Sequence, residues 1–187
     1  MVKRLFDLFL AAVAAVILLV PCTVVALLVK MTSPGPVLYW SDRVGQYNRI
    51  FKMPKFRSMR TGTPAVATHL LTNADSYLTP IGSLLRKSSL DELPQLWSII
   101  HGDMSFVGPR PALYNQQDLI ELRTQCGAHA VVPGLTGWAQ INGRDELPIP
   151  QKVALDSEYV RRQSLAFDIQ ILFLTAWKVI MRRDVTH

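Results

Sequence analysis

The chain has 187 residues, which suits one domain with its own hydrophobic core, and neither a Pro-, Gly- or Ser-rich linker nor an internal repeat divides it. Its 20 basic and 14 acidic residues give a net charge of +6, which favours polyanionic partners such as phosphate esters, anionic lipid or nucleic acid. The two cysteines and the four histidines show neither a disulfide framework nor zinc-site spacing, so we expect the folded part in a reducing, cytoplasmic setting.

Residues 8–29 form an almost purely apolar run that matches the ~20 residues needed to cross a bilayer, which predicts contact with a membrane. A cleaved signal peptide is disfavoured, because the run exceeds the usual ~7–15 apolar residues and no small-x-small site precedes its polar end. Pro21 lacks the N–H that would bond the carbonyl of Ile17, so we expect a kink there. Basic residues flank the run on both sides, including Lys30 after it, so the charges do not enforce a crossing. A spanning helix and a broken helix both remain open at this point.

The segment after this run carries aromatic residues and many cations. The composition of residues 32–36 predicts a turn, and residues 37–40 fit either a short strand or an interfacial aromatic segment. Six cations follow, namely Arg43, Arg49, Lys52, Lys55, Arg57 and Arg60. A stretch like this is most often a solvated face, and nucleic-acid binding is conceivable. Beside a membrane segment, anionic lipid or substrate phosphates explain it better.

The next part of the chain contains a loop and the start of a helix. Residues 62–75 are weakly patterned, which predicts a loop. Thr79 is a candidate N-cap with Pro80 at the first helical position, so a helix should begin here and continue through residues 84–86. No glycine-rich phosphate loop or dinucleotide-binding fingerprint occurs in the sequence, so a nucleotide would have to be held by other means.

A second short helix is predicted around two adjacent acids, Asp91 and Glu92. With Asp91 as the N-cap, Pro94 falls at the third helical position, where its missing N–H costs nothing. The helix should end near Gly102 and bury the apolar residues that recur at helical spacing, Leu93, Leu96, Trp97 and Ile100. First-turn acids most often act only as caps. The positive end of a helix is also where an anion or a metal-bound phosphate is held.

Fixed cations surround these two acids in the sequence. Arg86 lies just upstream, and Arg110 lies between two prolines that fix the backbone and present its guanidinium with little freedom. Carboxylates between fixed cations suit phosphate chemistry. Because neighbouring helical residues point about 100° apart, we expect Asp91 and Glu92 to have separate roles and not to form one clamp.

The C-terminal third is predicted to be mainly helical. Helices are expected at residues 116–123 and 150–162, the second opened by proline and closed by two arginines. Between them, Asn-Gly at residues 142–143 predicts a hairpin, which places Arg144 at a turn. Residues 165–181 predict a broad apolar helix that lies either in the membrane interface or in the core.

Four motifs in this order resemble the bacterial sugar transferase family, the monotopic polyprenol-phosphate phosphoglycosyl transferases, which begin glycan assembly on a membrane lipid. The motifs are KFRSM at residues 55–59, LLRKSSLDELPQL at 84–96, GDMSFVGPRP at 102–111 and PGLTGWAQINGR at 133–144. The match covers nearly the whole chain.

This resemblance implies a mostly helical α+β fold with a few short strands, in a single membrane-associated domain. Residues 1–30 would form a re-entrant membrane helix, broken at Pro21, that enters and leaves by the cytoplasmic face. Residues 31–187 would form a catalytic domain that rests on the membrane surface through interfacial amphipathic helices. The expected location is the cytoplasmic face of the bacterial inner membrane.

The resemblance also implies an activity: transfer of a phosphosugar from a UDP-sugar to a polyprenol phosphate (undecaprenyl phosphate), with release of UMP. Asp91 would attack the β-phosphate to give an aspartyl phosphosugar, which the polyprenol phosphate then attacks. Glu92 would act as a base or position the incoming phosphate. Mg²⁺, contacted by Asp91, would neutralise the phosphoryl oxygens. The candidate phosphate or nucleotide contacts are Lys55, Arg57, Arg86, Arg110 and Arg144.

The expected partners are a UDP-sugar, a polyprenol phosphate and membrane phospholipid, and not nucleic acid. The reaction would be the first membrane step of glycoconjugate assembly, for an O-antigen, a capsule or a glycoprotein glycan. One alternative is direct transfer in a ternary complex, in which Asp91 only binds metal. The other is a membrane-anchored basic scaffold without catalysis.

Overall fold

The computed structural model describes residues 1–64, 73–143 and 147–181. The α-helices in these ranges are α1 (Val2–Thr32), α2 (Gly82–Lys87), α3 (Leu96–His101), α4 (Gln117–Gln125), α5 (Trp138–Ile141), α6 (Ile149–Arg162) and α7 (Leu165–Ile180). The strands are β1 (Leu38–Val44), β2 (Ile50–Phe56), β3 (Ser105–Val107) and β4 (Gly134–Thr136). The predicted α+β fold, mostly helical with a few short strands, is confirmed.

The strands form two small sheets. β1 and β2 pair antiparallel, from Leu38 opposite Phe56 to Val44 opposite Ile50. Of the two possibilities for residues 37–40, the short strand is confirmed, because β1 begins at Leu38. β3 and β4 pair in parallel, although 26 residues separate the last residue of β3 from the first residue of β4. The second sheet therefore joins two of the recognised sequence motifs.

Helix α1 runs from Val2 to Thr32 as one element that contains Pro21. The hydroxyl of Thr23 donates to the carbonyl of Leu19 at 2.8 Å, so a side chain supplies one additional hydrogen bond near the proline. The expected division into two helices at Pro21 is therefore not found. The physical reason is that proline removes only its own N–H, and the helical bonds on either side persist.

Both ends of α1 contact the rest of the protein. Near its start, Lys3 Nζ donates to the carboxylate of Asp168 at 2.6 Å, and Asp7 accepts a hydrogen bond from the backbone N–H of Phe106. Near its end, Val29 is fully buried in a cluster that includes Leu85. A helix of 31 residues is about 46 Å long. Both ends of α1 are therefore held against the domain.

The central apolar residues of α1 are largely exposed. α1 is long and apolar enough to cross a membrane by length and composition. Val16, Ile17 and Val20 are among its exposed apolar side chains. An exposed apolar surface of this extent is typical of contact with a membrane or with another protein.

The helix predicted around Asp91 differs from the observed structure in its start and in its buried face. A 3₁₀ helix covers Leu90–Gln95, preceded by Ser89 in the left-handed region, and α3 follows at Leu96. The predicted Asp91 cap is therefore wrong, whereas the predicted end at Gly102 is confirmed. Trp97 is 53% exposed, while its neighbour Ser98 is buried. We assumed 3.6 residues per turn throughout. The 3₁₀ segment has three residues per turn, so the residues that follow it face a different direction from the one predicted.

Helix α2 begins two residues later than predicted. Its N-cap is Ile81, because the backbone N–H and the hydroxyl of Thr79 both donate to the carbonyl of Ser58. The predicted Thr79 cap is therefore wrong.

The C-terminal helices are confirmed, and the predicted hairpin is wrong. α4, α6 and α7 match the expected helices at residues 116–123, 150–162 and 165–181. The Asn-Gly pair at residues 142–143 follows α5 and precedes α6, with no strand beside it in the part of the chain that the structure describes. Phe167 and Ile171 on α7 are buried, whereas Phe173 and Trp177 are exposed, so α7 contributes one face to the core and leaves another apolar face outside.

Candidate functional site

The two acids lie together on the 3₁₀ helix that packs against β2, α2 and α3. Ser89, with a φ of 56°, turns the chain out of α2, and the backbone N–H of Glu92 donates back to the Ser89 carbonyl at 3.1 Å. This tight turn buries Asp91, which is only 8% exposed. The turn thus directs two carboxylates into the protein just after the basic end of α2.

Glu92 brings together three distant segments of the chain. Its Oε1 accepts hydrogen bonds from Lys55 Nζ on β2 at 2.8 Å and from Arg110 Nη2 in the loop after β3, and its Oε2 accepts from Arg110 Nη1 at 3.3 Å. The two nitrogens of the Arg110 guanidinium therefore contact both carboxylate oxygens, which is the strongest geometry for such a pair. Three of the predicted site residues form one ionic cluster.

The cluster fixes the ionisation of Glu92. Burial alone would raise the pKa of its carboxyl, but the nearby charges of Arg110 and Lys55 outweigh burial and hold the pKa well below its usual value. Burial lowers the pKa of Lys55, while the charge of Glu92 opposes this effect. Both pKa values therefore shift downwards for different reasons: two cations lower the pKa of Glu92, and burial is the main cause of the lower pKa of Lys55. Glu92 is consequently a carboxylate anion at neutral pH and a poor proton acceptor.

Asp91 has a different environment from its neighbour. Burial raises the pKa of Asp91, and the charge of Lys55 opposes that shift. Among residues 1–64, 73–143 and 147–181, none donates a hydrogen bond to the Asp91 carboxylate or pairs with it within ion-pair distance. The two neighbouring acids thus differ in their surroundings: Glu92 is engaged by two cations, whereas Asp91 is buried and has no direct partner among the described residues.

Arg86 and Arg57 occupy different surroundings. The charge of Arg86, in the last turn of α2, acts on the pKa of Asp91, and its guanidinium lies 3.9 Å from the sulfur of Met59. The guanidinium of Arg57 donates instead to the carbonyls of Ser33 and Pro34 and to the Ser33 hydroxyl. Arg57 thus ties the end of α1 to the end of β2, and none of its described hydrogen bonds reaches either acid.

Two other predicted residues complete the set. Arg144 lies outside the described residues. Pro21 lies within α1, as described above.

The loop that carries Arg110 is held by close contact between two backbone segments. The N–H of Gly108 donates to the carbonyl of Thr136, and the N–H of Gly134 donates to that of Pro109, both at 2.9 Å. A Cβ on Gly134 would lie 2.1 Å from the Gly108 nitrogen, which no side chain permits. This approach explains why both motifs contain glycine, and it places the segment 133–136 directly behind the Arg110 loop.

The acids offer a limited set of ligands for a metal. Within the described part of the chain, no three His, Cys, Asp or Glu side chains gather as a metal cage. Mg²⁺ is commonly held by one or two carboxylates together with substrate phosphates and water. Asp91 fits such a site because its oxygens have no direct partner among the described residues, whereas Glu92 is already neutralised by two cations.

Two further arginines contact the Arg110 loop; the sequence marked Arg43 only as one cation of a basic stretch and did not single out Arg123. Arg123 Nη1 donates to the carbonyl of Arg110 at 2.8 Å, and Arg43 Nη1 donates to that of Pro111 at 3.2 Å. No local sequence signal marks these contacts, because the partners lie 13 and 68 residues apart.

Comparisons with known proteins identify a family for this chain. The model of the bacterial sugar transferase family matches residues 1–182. The chain is 43% identical over 95% of its length to a UDP-glucose:undecaprenyl-phosphate glucose-1-phosphate transferase of Xanthomonas campestris pv. campestris, of which the match covers 38%. It is 40% identical over 95% of its length to the protein of the same name from Escherichia coli (strain K12), of which the match covers 40%.

The chain thus spans less than half the length of these two relatives. It is also 41% identical, over 98% of its length, to an uncharacterized sugar transferase, EpsL, of Bacillus subtilis (strain 168), and this match covers 89% of that protein.

Proposed function

The chain belongs to the bacterial sugar transferase family, and we propose that it transfers a phosphosugar from a UDP-sugar to a polyprenol phosphate such as undecaprenyl phosphate, releasing UMP. The names of its relatives, UDP-glucose:undecaprenyl-phosphate glucose-1-phosphate transferases, support this class of reaction. We place the reaction at the first membrane step of glycoconjugate assembly.

The observation that carries the proposal is the ionic cluster of Lys55, Glu92 and Arg110 beside the buried Asp91, whose carboxylate has no direct partner among the described residues. Both substrates are anions at the reacting centre, so catalysis depends mainly on positioned cations. Lys55 and Arg110 would donate to the diphosphate of the UDP-sugar while Glu92 keeps them in place. Arg86 would add positive charge on the Asp91 side.

We propose that Asp91 is the nucleophile. Its carboxylate oxygen forms a bond to the β-phosphorus, and the bond from that phosphorus to the bridging oxygen breaks, so the oxygen and its electron pair leave with UMP. A phosphate oxygen of the polyprenol phosphate then attacks the same phosphorus and releases Asp91. Burial supports this role, because a carboxylate with few water contacts loses little solvation when it attacks.

We assign Glu92 to positioning and not to proton transfer. Its pKa lies well below the usual value despite burial, and the attacking phosphate of the lipid is already an anion that needs no base. Mg²⁺, held by Asp91 together with the substrate phosphates, would supply charge neutralisation of the phosphoryl oxygens.

The membrane arrangement is part of the proposal. The lipid acceptor lies in a bilayer, and the exposed apolar middle of α1 provides a surface for that bilayer. Both ends of α1 contact the domain. A helix that enters and leaves the membrane on the same side agrees with these contacts better than a helix that crosses it. We therefore propose that residues 1–30 form a re-entrant membrane helix and that residues 31–187 rest on phospholipid at the cytoplasmic face of the bacterial inner membrane.

Release of UMP tests the proposal directly. The purified chain is incubated with polyprenol phosphate, Mg²⁺ and, in turn, a panel of UDP-sugars. We expect UMP release with at least one sugar and a matching lipid-linked product. A non-catalytic scaffold would release no UMP from any member of the panel.

A further inference from the structure

The loop that carries Arg110 is fixed through four consecutive carbonyl groups. Gly134 N–H donates to the Pro109 carbonyl at 2.9 Å, and Val44 N–H donates to the Ala112 carbonyl at 2.9 Å. Between them, the two donors are side chains: Arg123 bonds the Arg110 carbonyl and Arg43 bonds the Pro111 carbonyl. Proline has no N–H, so the two prolines of this loop cannot donate backbone hydrogen bonds. The carbonyls therefore have to hold the loop in place.

Arg123 is itself held in place by an acid. Its Nε and Nη2 both donate to Asp156 Oδ2, at 2.9 and 2.6 Å, which leaves Nη1 for the Arg110 carbonyl at 2.8 Å. Arg123 and Asp156 are both buried. A planar guanidinium held at two nitrogens by a buried carboxylate presents its third nitrogen in a fixed direction.

A continuous chain of contacts thus runs from α6 to the candidate site. Asp156 holds Arg123, Arg123 holds the main chain of Arg110, and the Arg110 side chain holds Glu92 beside Asp91. A shift of the main chain at Arg110 would carry its Cα, and with it the guanidinium, away from Glu92. Small displacements of charged groups are costly in phosphoryl transfer, since catalysis depends on their position.

We propose that Arg123, held by Asp156, is a positioning residue for the transferase reaction, which sets the main chain of Arg110 so that its guanidinium reaches Glu92 and the donor phosphates. This inference rests on the proposed function. The competing explanation is that the pair only joins α4 to α6, in which case activity would follow the folded fraction.

The test uses the full chain and two sets of variants. Arg123→Met removes the donor but leaves Asp156 buried without its cation, which can prevent folding. The variant Arg123→Met/Asp156→Leu removes both charges, and replacing a buried pair by apolar residues often preserves stability. Lys3→Met is the control for Arg123→Met, because it unpairs another buried aspartate, Asp168, and removes one donor to the Val107 carbonyl while leaving the Arg110 carbonyl bonded.

The readouts are the unfolding temperature and the kcat and KM for UMP release. We expect Arg123→Met/Asp156→Leu to keep an unfolding temperature near that of wild type and to lose about tenfold or more in kcat/KM. The same change made in the Arg110→Ala background should lower kcat/KM further by less than about twofold, because its target is gone. Lys3→Met should change kcat/KM by the same factor in the wild-type and the Arg110→Ala backgrounds.

Two results would overturn the inference. One is a folded Arg123→Met/Asp156→Leu variant with wild-type kcat/KM, and the other is an equal loss of kcat/KM in the wild-type and Arg110→Ala backgrounds. If Arg110→Ala leaves no measurable turnover, the comparison of the folded variant with wild type decides alone. Failure of the proposed function is distinguishable, since wild type itself would then release no UMP.

Discussion

Glu92 and Arg110, 18 residues apart in the chain, form a two-point ion pair in which the arginine contacts both carboxylate oxygens. Lys55 completes the arrangement at 2.8 Å from the same glutamate. Arg110→Lys keeps the positive charge but replaces a rigid fork by a single mobile ammonium. We expect kcat/KM for the UDP-sugar to fall by about tenfold or more, because one ammonium cannot reproduce the bidentate contact.

Steady-state UMP release measures this effect. The control is Lys52→Arg, since Lys52 pairs with Asp42 at an exposed position and should tolerate the exchange. Near-normal kinetics for Arg110→Lys would remove Arg110 from the site.

The low pKa of Glu92 predicts a pH-dependent contribution to stability. Its pKa in the folded protein lies below the unfolded value, so its stabilisation is present above the unfolded pKa of about 4.3 and is lost as pH falls through the folded pKa. In Glu92→Gln this contribution is absent at every pH. The difference in unfolding free energy between wild type and Glu92→Gln should therefore be largest near neutral pH and shrink below about pH 4, by at most about 1.4 kcal/mol per pH unit.

Chemical denaturation at a series of pH values measures this difference. A difference that stayed constant from neutral to acidic pH would show that Glu92 is not held ionised by Arg110 and Lys55.

The sequence predicted much of this site, because its signals are local. Arg110 between two prolines, the acids after the basic end of α2, and the helix stop at Gly102 can each be recognised within a few residues. The periodicity of α4, α6 and α7 is equally local. The single helical period failed at Trp97, where a 3₁₀ segment changes the phase of the helix.

The remaining features depend on distant partners, which a single sequence does not specify. Arg57 looked like one more cation of a basic stretch, yet its guanidinium bonds Ser33 and Pro34 at the end of α1. Arg123 was predicted only as the last residue of a helix, yet its partner Asp156 lies 33 residues away. Only the tertiary structure distinguishes such anchoring arginines from those that face the two acids.

The position of α1 leads to a topology prediction. Because its start is bonded to Asp168 and its end packs against Leu85, we expect both ends on the cytoplasmic side. A cysteine placed next to Met1, in a chain that lacks Cys22 and Cys126, should not react with an impermeant thiol reagent added to intact cells. The same cysteine should react after the cells are permeabilised.

Labelling from outside intact cells would establish a conventional crossing. Pro21→Leu provides a second comparison, because it restores the helical hydrogen bond to Ile17 and should shift the population towards a crossing.

Loss of the nucleophile should abolish turnover. Asp91→Asn removes the charge of the attacking carboxylate and leaves an amide, which is a far weaker nucleophile. UMP release should fall to below about one per cent of the wild-type rate, a loss at least as large as that seen when one key catalytic group is removed. Asp42→Asn, which alters an exposed carboxylate paired only with Lys52 in the described structure, is the matched control and should retain activity. Higher residual activity in Asp91→Asn would favour direct transfer between the two substrates.

The most direct measurement of the central claim is a single-turnover reaction without the lipid acceptor, followed by peptide mass spectrometry. Wild-type enzyme mixed with a UDP-sugar that it accepts should release one equivalent of UMP and carry the mass of a phosphosugar on the peptide that contains Asp91. Polyprenol phosphate added afterwards should remove that mass and yield the lipid-linked sugar. Release of UMP only when the acceptor is present, with Asp91 unmodified throughout, would contradict the account.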